Sequence, residues 1–457
     1  MAKKIAVLGN GYVGLLAAVG LADFGNTCIG ADVNPDKIAA LSAGRSPLYE
    51  PGIEEYLNRN LSSGRLRFTT DLAEAIQESE VLFITVGTPS LEDGGADLTF
   101  VGQVADIIAR NLNSYKVVVI KSTVPVGTNR WVRDRIAQAA GAVPGKDFDL
   151  VSNPEFLREG RAVQDFFHPD RTVIGYESDR AREVMFEVYR ALNVRSVPFV
   201  WCSLETAELI KYASNTFLAT KIAFINEMAN LAEAVGADIH TIAQSMGMDG
   251  RISPKFLHPG PGFGGSCFPK DTRALEAAGR QFGVNMSIAK AVDASNEAQK
   301  QRTGLKLARL LGRTLDPGSL GGLQIGVLGL AFKQETDDIR ESPALVLVRQ
   351  LLDAGAQVRA YDPKAAPNFA REFPEVTYYE GAYEAAAGAD ALVIMTEWNE
   401  FRGLDLARLA RAMKGRVLVD GRNLLDPAEA RAVGFTYEGV GRGQPVGRGT
   451  VQGSSPL

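Results

Sequence analysis

The sequence predicts an α/β protein: two doubly wound, parallel-sheet domains joined by a long central helix. Three observations carry this reading. Apolar strand-like runs alternate with amphipathic helical stretches in the first part of the chain. A long helical stretch without glycine or proline follows, and a second strand–turn–helix–strand pattern opens at Leu323. Strands separated by helices imply parallel sheets wound with right-handed crossovers.

Taken in order, KKIAVLG is a short β-rich run, and YVGLLAAVGLADFG reads as a helix ended by Gly25. NTCIGAD is a second strand, and NPDKIAALSAG a second helix closed by Gly44. Further strand-like runs lie at 81–87, 116–124 and 148–156. From Ser203 to Val235, apolar residues recur at spacings of three and four, the period of one helix. Both its faces carry apolar residues, so much of it is expected to be buried between domains or subunits. A Gly/Pro-rich loop, PGPGFGGSCFP at 259–269, suggests backbone brought close to a ligand. In the second α/β pattern, LQIGVLGLAF, QVRAYDP, ALVIMTEW and RVLVDGRN read as strands and SPALVLVRQLLDAGA as a helix. The predicted division is 1–202 for a dinucleotide domain, 203–300 for a central helical region, and 301–440 for a C-terminal α/β domain. The Gly-, Pro- and Ser-rich stretch 441–457 reads as a disordered tail.

Bulk properties narrow the function classes. A chain of 457 residues exceeds one ordinary core. No apolar run approaches the length that crosses a bilayer. The two lysines before the first apolar run resemble a signal peptide, but glycines and Asn10 break that run, and a buried strand is the better reading. Three scattered cysteines, an odd number, argue against a disulfide framework and for a reducing, cytoplasmic setting. A formal charge of −5 offers nucleic acid no general attraction, so an anionic ligand must be held by local groups. The three histidines (His168, His240, His258) have no metal spacing, and no catalytic metal is predicted.

Gly9, Gly11 and Gly14 form GNGYVG directly after a strand and at the opening of a helix. Alone the triplet is a weak signal. Asp32, ending the next strand, stands where a ribose-binding acid belongs, and together they predict a Rossmann-like dinucleotide site. A carboxylate there repels a 2′-phosphate, so NAD is favoured over NADP. The C-terminal GVLGLAFK lacks the full triplet, which argues against a second dinucleotide. Its Lys333 and Arg340 lie just beyond a strand end, where a nucleotide diphosphate or merely a solvated basic loop fits equally well.

The reactive groups are scattered in sequence. Cys267 lies in GGSCFPKD, four residues before Asp271 and near Lys270, which favours thiolate. A packing cysteine under a loop is the competing reading. Lys211 and Asn215 stand one helical turn apart, where an ammonium and an amide can stabilise an alkoxide. Glu155 and Glu159 are also four apart, near a strand end, and suit proton transfer or cofactor contact; surface glutamates are the bland alternative. Thr123 follows another strand, beside a turn made by Pro125 and Gly127.

KYASN, NPEFLREG, GPGFGGSCFPKD and GLAFKQETDDIRES together resemble the UDP-glucose/GDP-mannose dehydrogenase family, from Ala2 to about Asp426. The resemblance implies an NAD-binding N-terminal domain, dimerisation through the central helix, alone or within a larger homo-oligomer, and a C-terminal domain for a UDP-sugar. It implies four-electron oxidation of UDP-glucose to UDP-glucuronate through a thiohemiacetal and thioester on Cys267. Lys211, Asn215 and Asp271 would serve the reacting centre, Thr123 would help place a water, and Glu155 would take part in proton transfer. Tyr12, Val13, Lys37, Thr88, Thr123, Glu159 and Arg340 would join the glycine turn and Asp32 at NAD. Phe156, Leu157, Phe263, Gly264, Phe332, Lys333 and Arg422 would line the sugar-nucleotide site, with Arg251 reaching a neighbouring subunit's substrate. GDP-mannose and UDP-N-acetylhexosamines are the rival substrates. Two-electron β-hydroxyacid dehydrogenases share the Lys-x-x-x-Asn helix but need neither the cysteine nor the second α/β domain. A non-catalytic nucleotide sensor is the reading from another class.

Overall fold

A computed structural model describes residues 2–442. The chain forms two compact units: one from the N-terminus to Ser214 with Arg273–Met286, the other from Asn215–Thr272 with the chain from Ser287 onward.

The first unit is built on eight strands: β1 (Lys4–Leu8), β2 (Thr27–Ala31), β3 (Leu66–Thr69), β4 (Val81–Ile84), β5 (Lys116–Ile120), β6 (Phe148–Ser152), β7 (Thr172–Tyr176) and β8 (Phe199–Cys202). Their order across the sheet is β3-β2-β1-β4-β5-β6-β7-β8. The central strands are covered on both faces, which is why KIAVL, VLFI and KVVVI read as nearly unbroken apolar runs instead of alternating. On one face pack Leu15, Leu16, Val19 and Leu21 of the helix Tyr12–Asp23. On the other pack Val101, Ala105, Ile108, Val132 and Ile136. Each fully buried aliphatic side chain contributes about 1.5–3 kcal/mol by leaving water, so the apolar pattern fixes which helix lies on which face.

One pairing departs from the all-parallel expectation: β7 runs antiparallel to β6. The connection between them contains only the six-residue helix Ala162–Phe167.

The second unit holds six parallel strands: β9 (Gln324–Leu328), β10 (Gln357–Tyr361), β11 (Thr377–Tyr378), β12 (Ala391–Ile394), β13 (Val417–Asp420) and β14 (Thr436–Glu438). They are ordered β11-β10-β9-β12-β13-β14. Chain order therefore reverses between β9 and β12 here, and between β1 and β4 in the first unit. Such switch points open crevices at the carboxyl ends of the strands, where α/β sheets bind ligands.

The predicted long helix is continuous over Leu204–Val235, 32 residues. Ala207, Tyr212, Ala219, Ile225, Ala229 and Ala232 are buried. Phe217, Phe224 and Leu231, spaced by seven, are exposed by 65%, 44% and 55%, leaving an apolar stripe on one side. The composition-based tail begins slightly early. The Gly441 N–H donates to Glu233 Oε1 at 2.7 Å, and its carbonyl accepts from Ile239 N at 3.0 Å, so Gly441 is still held. The remainder of the predicted tail, from 443, lies outside the described residues.

Candidate active site

In the first unit, every predicted site residue except those on helices stands just past the carboxyl end of a strand or in the segment that follows. After β1, Gly9 adopts φ +98°, and a Cβ at Gly14 would come 1.8 Å from the Gly9 carbonyl oxygen. These two glycines make the turn and let helix and strand approach. At Gly11 an added Cβ meets nothing within 4 Å. The helix Tyr12–Asp23 has no side-chain cap and no acid in its first turn. Its first N–H groups, including those of Tyr12 and Val13, thus meet no side-chain cap, the arrangement in which a helix N-terminus favours an anion.

Asp32, at the end of β2, accepts from Asn10 N (2.8 Å) and Lys37 Nζ (2.7 Å) on Oδ2 and from Asn34 N (3.0 Å) on Oδ1. Burial opposes its ionisation, but the bond from Lys37 and the amides of Asn34 and Asn10 outweigh burial and hold it below the usual carboxylate range. Asp32 is thus an ionised acid at a strand end, with Lys37 beside it. After β4, Thr88 Oγ1 donates to the Thr123 carbonyl at 2.8 Å, tying together the turns that follow β4 and β5.

After β6, Glu155 is 7% exposed. Its Oε1 accepts from Lys211 Nζ at 3.0 Å and its Oε2 from Leu157 N at 2.5 Å. Burial pushes the Glu155 carboxyl up; the Lys211 charge, the Leu157 amide and nearby Lys121 more than reverse this and leave it below its ordinary value. Lys211 is 3% exposed and Asn215 6%, so neither lies on a solvated face. The Phe156 ring faces two cations, the Arg171 guanidinium at 3.7 Å and Lys211 Nζ at 5.3 Å.

In the second unit, Cys267 immediately precedes the helix Phe268–Gln281, and its carbonyl accepts from Asp271 N at 2.8 Å. It therefore occupies the helix N-cap, where the helix dipole favours thiolate. The other two thiols contrast with it: burial pushes both Cys28 and Cys202 up. Lys270 does not stand free to favour thiolate, as the sequence suggested; its Nζ pairs with Asp271 Oδ1 at 2.8 Å. Asn215 Nδ2 donates to Asp271 Oδ2 at 2.6 Å, and both side chains are buried.

The loop before Cys267 is clamped by its own unit. Asn296 accepts from Phe263 N (2.8 Å) and donates to Phe263 O (3.0 Å). At Gly264 a Cβ would sit 2.4 Å from the Glu341 carbonyl oxygen, and at Gly265 (φ +80°) it would meet the Phe332 ring at 2.8 Å. Arg422, after β13, donates to Phe332 O and Met395 O, both at 2.8 Å, joining the segments that follow β9 and β12. Phe263, Gly264, Phe332, Lys333 and Arg422 thus gather around that switch point. Arg251 and Arg340 stay outward: their side chains are 89% and 61% exposed and are held by Asp249 and Asp338.

Three residues at these sites escaped the sequence reading. Glu50 accepts from Gly160 N and Ala162 N, each at 2.7 Å, and from the Tyr12 hydroxyl, joining the glycine turn to the Glu159 segment. Glu208, one turn before Lys211, accepts from Gly127 N (2.7 Å) and Asn129 N (2.8 Å) and so fixes the turn after Thr123. Lys121 is buried directly after β5. The available signal for Lys121 was a charge appended to an apolar strand; Glu50 and Glu208 gave none.

Fold and site together define a dinucleotide-dependent oxidoreductase with a second α/β unit suited to a nucleotide ligand. The chain belongs to the UDP-glucose/GDP-mannose dehydrogenase family. It matches that family's NAD binding domain over residues 3–193, its central domain over 205–298 and its UDP binding domain over 326–427. It is 49% identical over 442 residues to a UDP-glucose 6-dehydrogenase of Rhizobium meliloti, covering 96% of this chain and 99% of that protein. A UDP-glucose 6-dehydrogenase of Bacillus subtilis is 44% identical, covering 98% and 95%. Among solved structures, a UDP-glucose dehydrogenase from Pyrobaculum islandicum superposes with a TM-score of 0.88 at 42% identity, covering 96% of this chain and 98% of that one.

Proposed function

We propose that this chain oxidises C6 of UDP-glucose from alcohol to carboxylate, giving UDP-glucuronate, with two equivalents of NAD. The observation that carries the reading is Cys267 at a helix N-cap, one turn before a buried Asp271 that is bonded to Asn215. An alcohol-to-aldehyde oxidation has no use for a nucleophilic thiol; an oxidation that continues to the acid does, because the thiol holds the aldehyde covalently for the second step. NAD, when bound at the uncapped helix and Asp32, accepts the hydride of each oxidation step.

Lys211 and Asn215, one turn apart on the central helix, serve the same oxygen of the substrate. Glu155, ionised and bonded to Lys211, gives that ammonium a route for the proton the C6 hydroxyl loses. Cys267 Sγ then adds to the aldehyde carbon, forming a thiohemiacetal that keeps the intermediate bound. Loss of the second hydride leaves a thioester. Water, oriented by Asp271 and Thr123, breaks the C–S bond, releasing the carboxylate and regenerating the thiol. Lys211 and Asn215 stabilise the oxyanions along this path.

In this reading residues 1–202 hold NAD, with Thr88, Glu159 and Arg340 completing its site, and 301–440 hold the uridine diphosphate through Phe332, Lys333 and Arg422. The apolar stripe Phe217, Phe224 and Leu231 on the central helix is the contact of a homodimer, and exposed Arg251 reaches the partner's substrate. The three free cysteines suit a cytoplasmic setting. The test is NADH formed per UDP-glucose consumed, at completion with excess NAD. Two per UDP-glucose, with GDP-mannose and UDP-N-acetylglucosamine inert, is the expected result. One would remove the thioester scheme, and two with a rival substrate would move the specificity.

A further inference from the structure

Lys121 follows the apolar strand β5 and is 5% exposed. Its ammonium donates to Asn153 Oδ1 at 3.2 Å. That oxygen also accepts from the Tyr189 hydroxyl at 2.6 Å, while Asn153 Nδ2 donates to Val173 O at 2.9 Å, so the amide cannot turn away. Among the described residues no carboxylate lies within ion-pair distance of Lys121. A buried cation whose only contact is a neutral amide is costly, and an apolar residue would serve packing better. The charged groups that act on it are Glu155 and Lys211; Asn153 and Tyr189, the other polar groups against it, are neutral.

We infer that Lys121 is a positioning residue for this chemistry: anchored on Asn153, it supplies the second positive charge that keeps Glu155 ionised and bonded to Lys211. The inference rests on the reading that Glu155 and Lys211 serve the reacting centre. A lone buried Glu–Lys pair can neutralise itself by passing its proton from the ammonium to the carboxylate. A second cation behind the pair disfavours that transfer until substrate enters. The titration directions agree. Burial pushes Lys121 down to about 8, with Glu155 raising it and Lys211 lowering it, and Lys121 in turn helps hold Glu155 down. Below about pH 8 Lys121 is charged and supports the ionised pair; above it that support is withdrawn.

The experiment is the pH profile of kcat/KM for the full-length protein and for Lys121→Met, Lys121→Arg and Lys211→Met, with NAD and UDP-glucose. In Lys121→Met the acid limb moves upward by about one unit, and the difference from wild type closes above about pH 8. Lys121→Arg, which keeps a cation, stays near the wild-type limb. A Lys121→Met profile lowered uniformly at every pH, or an Arg variant shifted as far as Met, overturns the inference. If Lys121→Met does not fold, Lys121→Gln carries the same expectation, since it can still bond to Asn153 but carries no charge. Failure of the underlying reading has a different signature: Lys211→Met would then turn over like wild type, whatever the Lys121 variants do.

Discussion

Asp32→Ala separates the two nicotinamide cofactors by an amount that follows from the geometry. The carboxylate ends β2 with Oδ2 bonded to Asn10 N and Lys37 Nζ and Oδ1 to Asn34 N. An adenosine ribose placed at this strand end donates its hydroxyls to those oxygens. A hydrogen bond to a charged acceptor contributes about 1.5–3 kcal/mol. Losing even one lowers kcat/KM for NAD by about 10- to 100-fold, since each 1.4 kcal/mol is a factor of ten. For NADP the sign reverses. The charge that repels a 2′-phosphate is gone, and Lys37 loses its 2.7 Å partner and can face the phosphate instead. The ratio of the two specificity constants should therefore fall by about 100-fold or more. The assay is initial-rate NADH and NADPH formation at saturating UDP-glucose. Both come from one preparation, so any loss of folded protein from the orphaned Asn10 amide cancels in the ratio. An unchanged ratio would remove Asp32 from the ribose site.

Cys267→Ser should abolish steady release of uronic acid, measured by product chromatography; normal acid production would exclude the thioester. Lys211→Met leaves Glu155 buried without its partner and should cost about 3–5 kcal/mol, read from urea unfolding at neutral pH. Glu155 is depressed in the folded state, so the stability it contributes is present above its unfolded value of about 4.3 and is lost as pH falls through the lower folded value. Removing Lys211 raises that folded value, so the acid-unfolding midpoint of Lys211→Met, followed by circular dichroism, should move to higher pH. Phe224→Glu, in the middle of the exposed stripe, should shift the mass measured by light scattering from dimer to monomer; an unchanged mass would place the interface elsewhere.

Much of this was readable from the chain because parallel sheets advertise themselves. Strands buried on both faces produced VLFI and KVVVI, and the triplet Gly9, Gly11, Gly14 with Asp32 marked the first crevice. The site's partnerships were less accessible. Nothing local links Glu155 to Lys211, 56 residues on, or Asn215 to Asp271; such pairs are made by tertiary packing. The reversal at β7 also escaped, because the composition of a strand does not record the direction in which it pairs. Lys121 was passed over for the opposite reason: its neighbour Thr123 drew the chemistry to itself.

The reversed strand changes what one edge of the crevice is made of. Along β1, β4, β5 and β6, the segments at the functional edge are those by which the chain leaves a strand. At β7 the chain arrives there instead, and Arg171, the residue before that strand, lays its guanidinium on the Phe156 ring. Among the described residues this arginine has no carboxylate within ion-pair distance. The two ends of one connection, leaving β6 and entering β7, therefore meet at the Phe156 ring: the departing end holds Glu155 and the arriving end holds the cation that covers its neighbour.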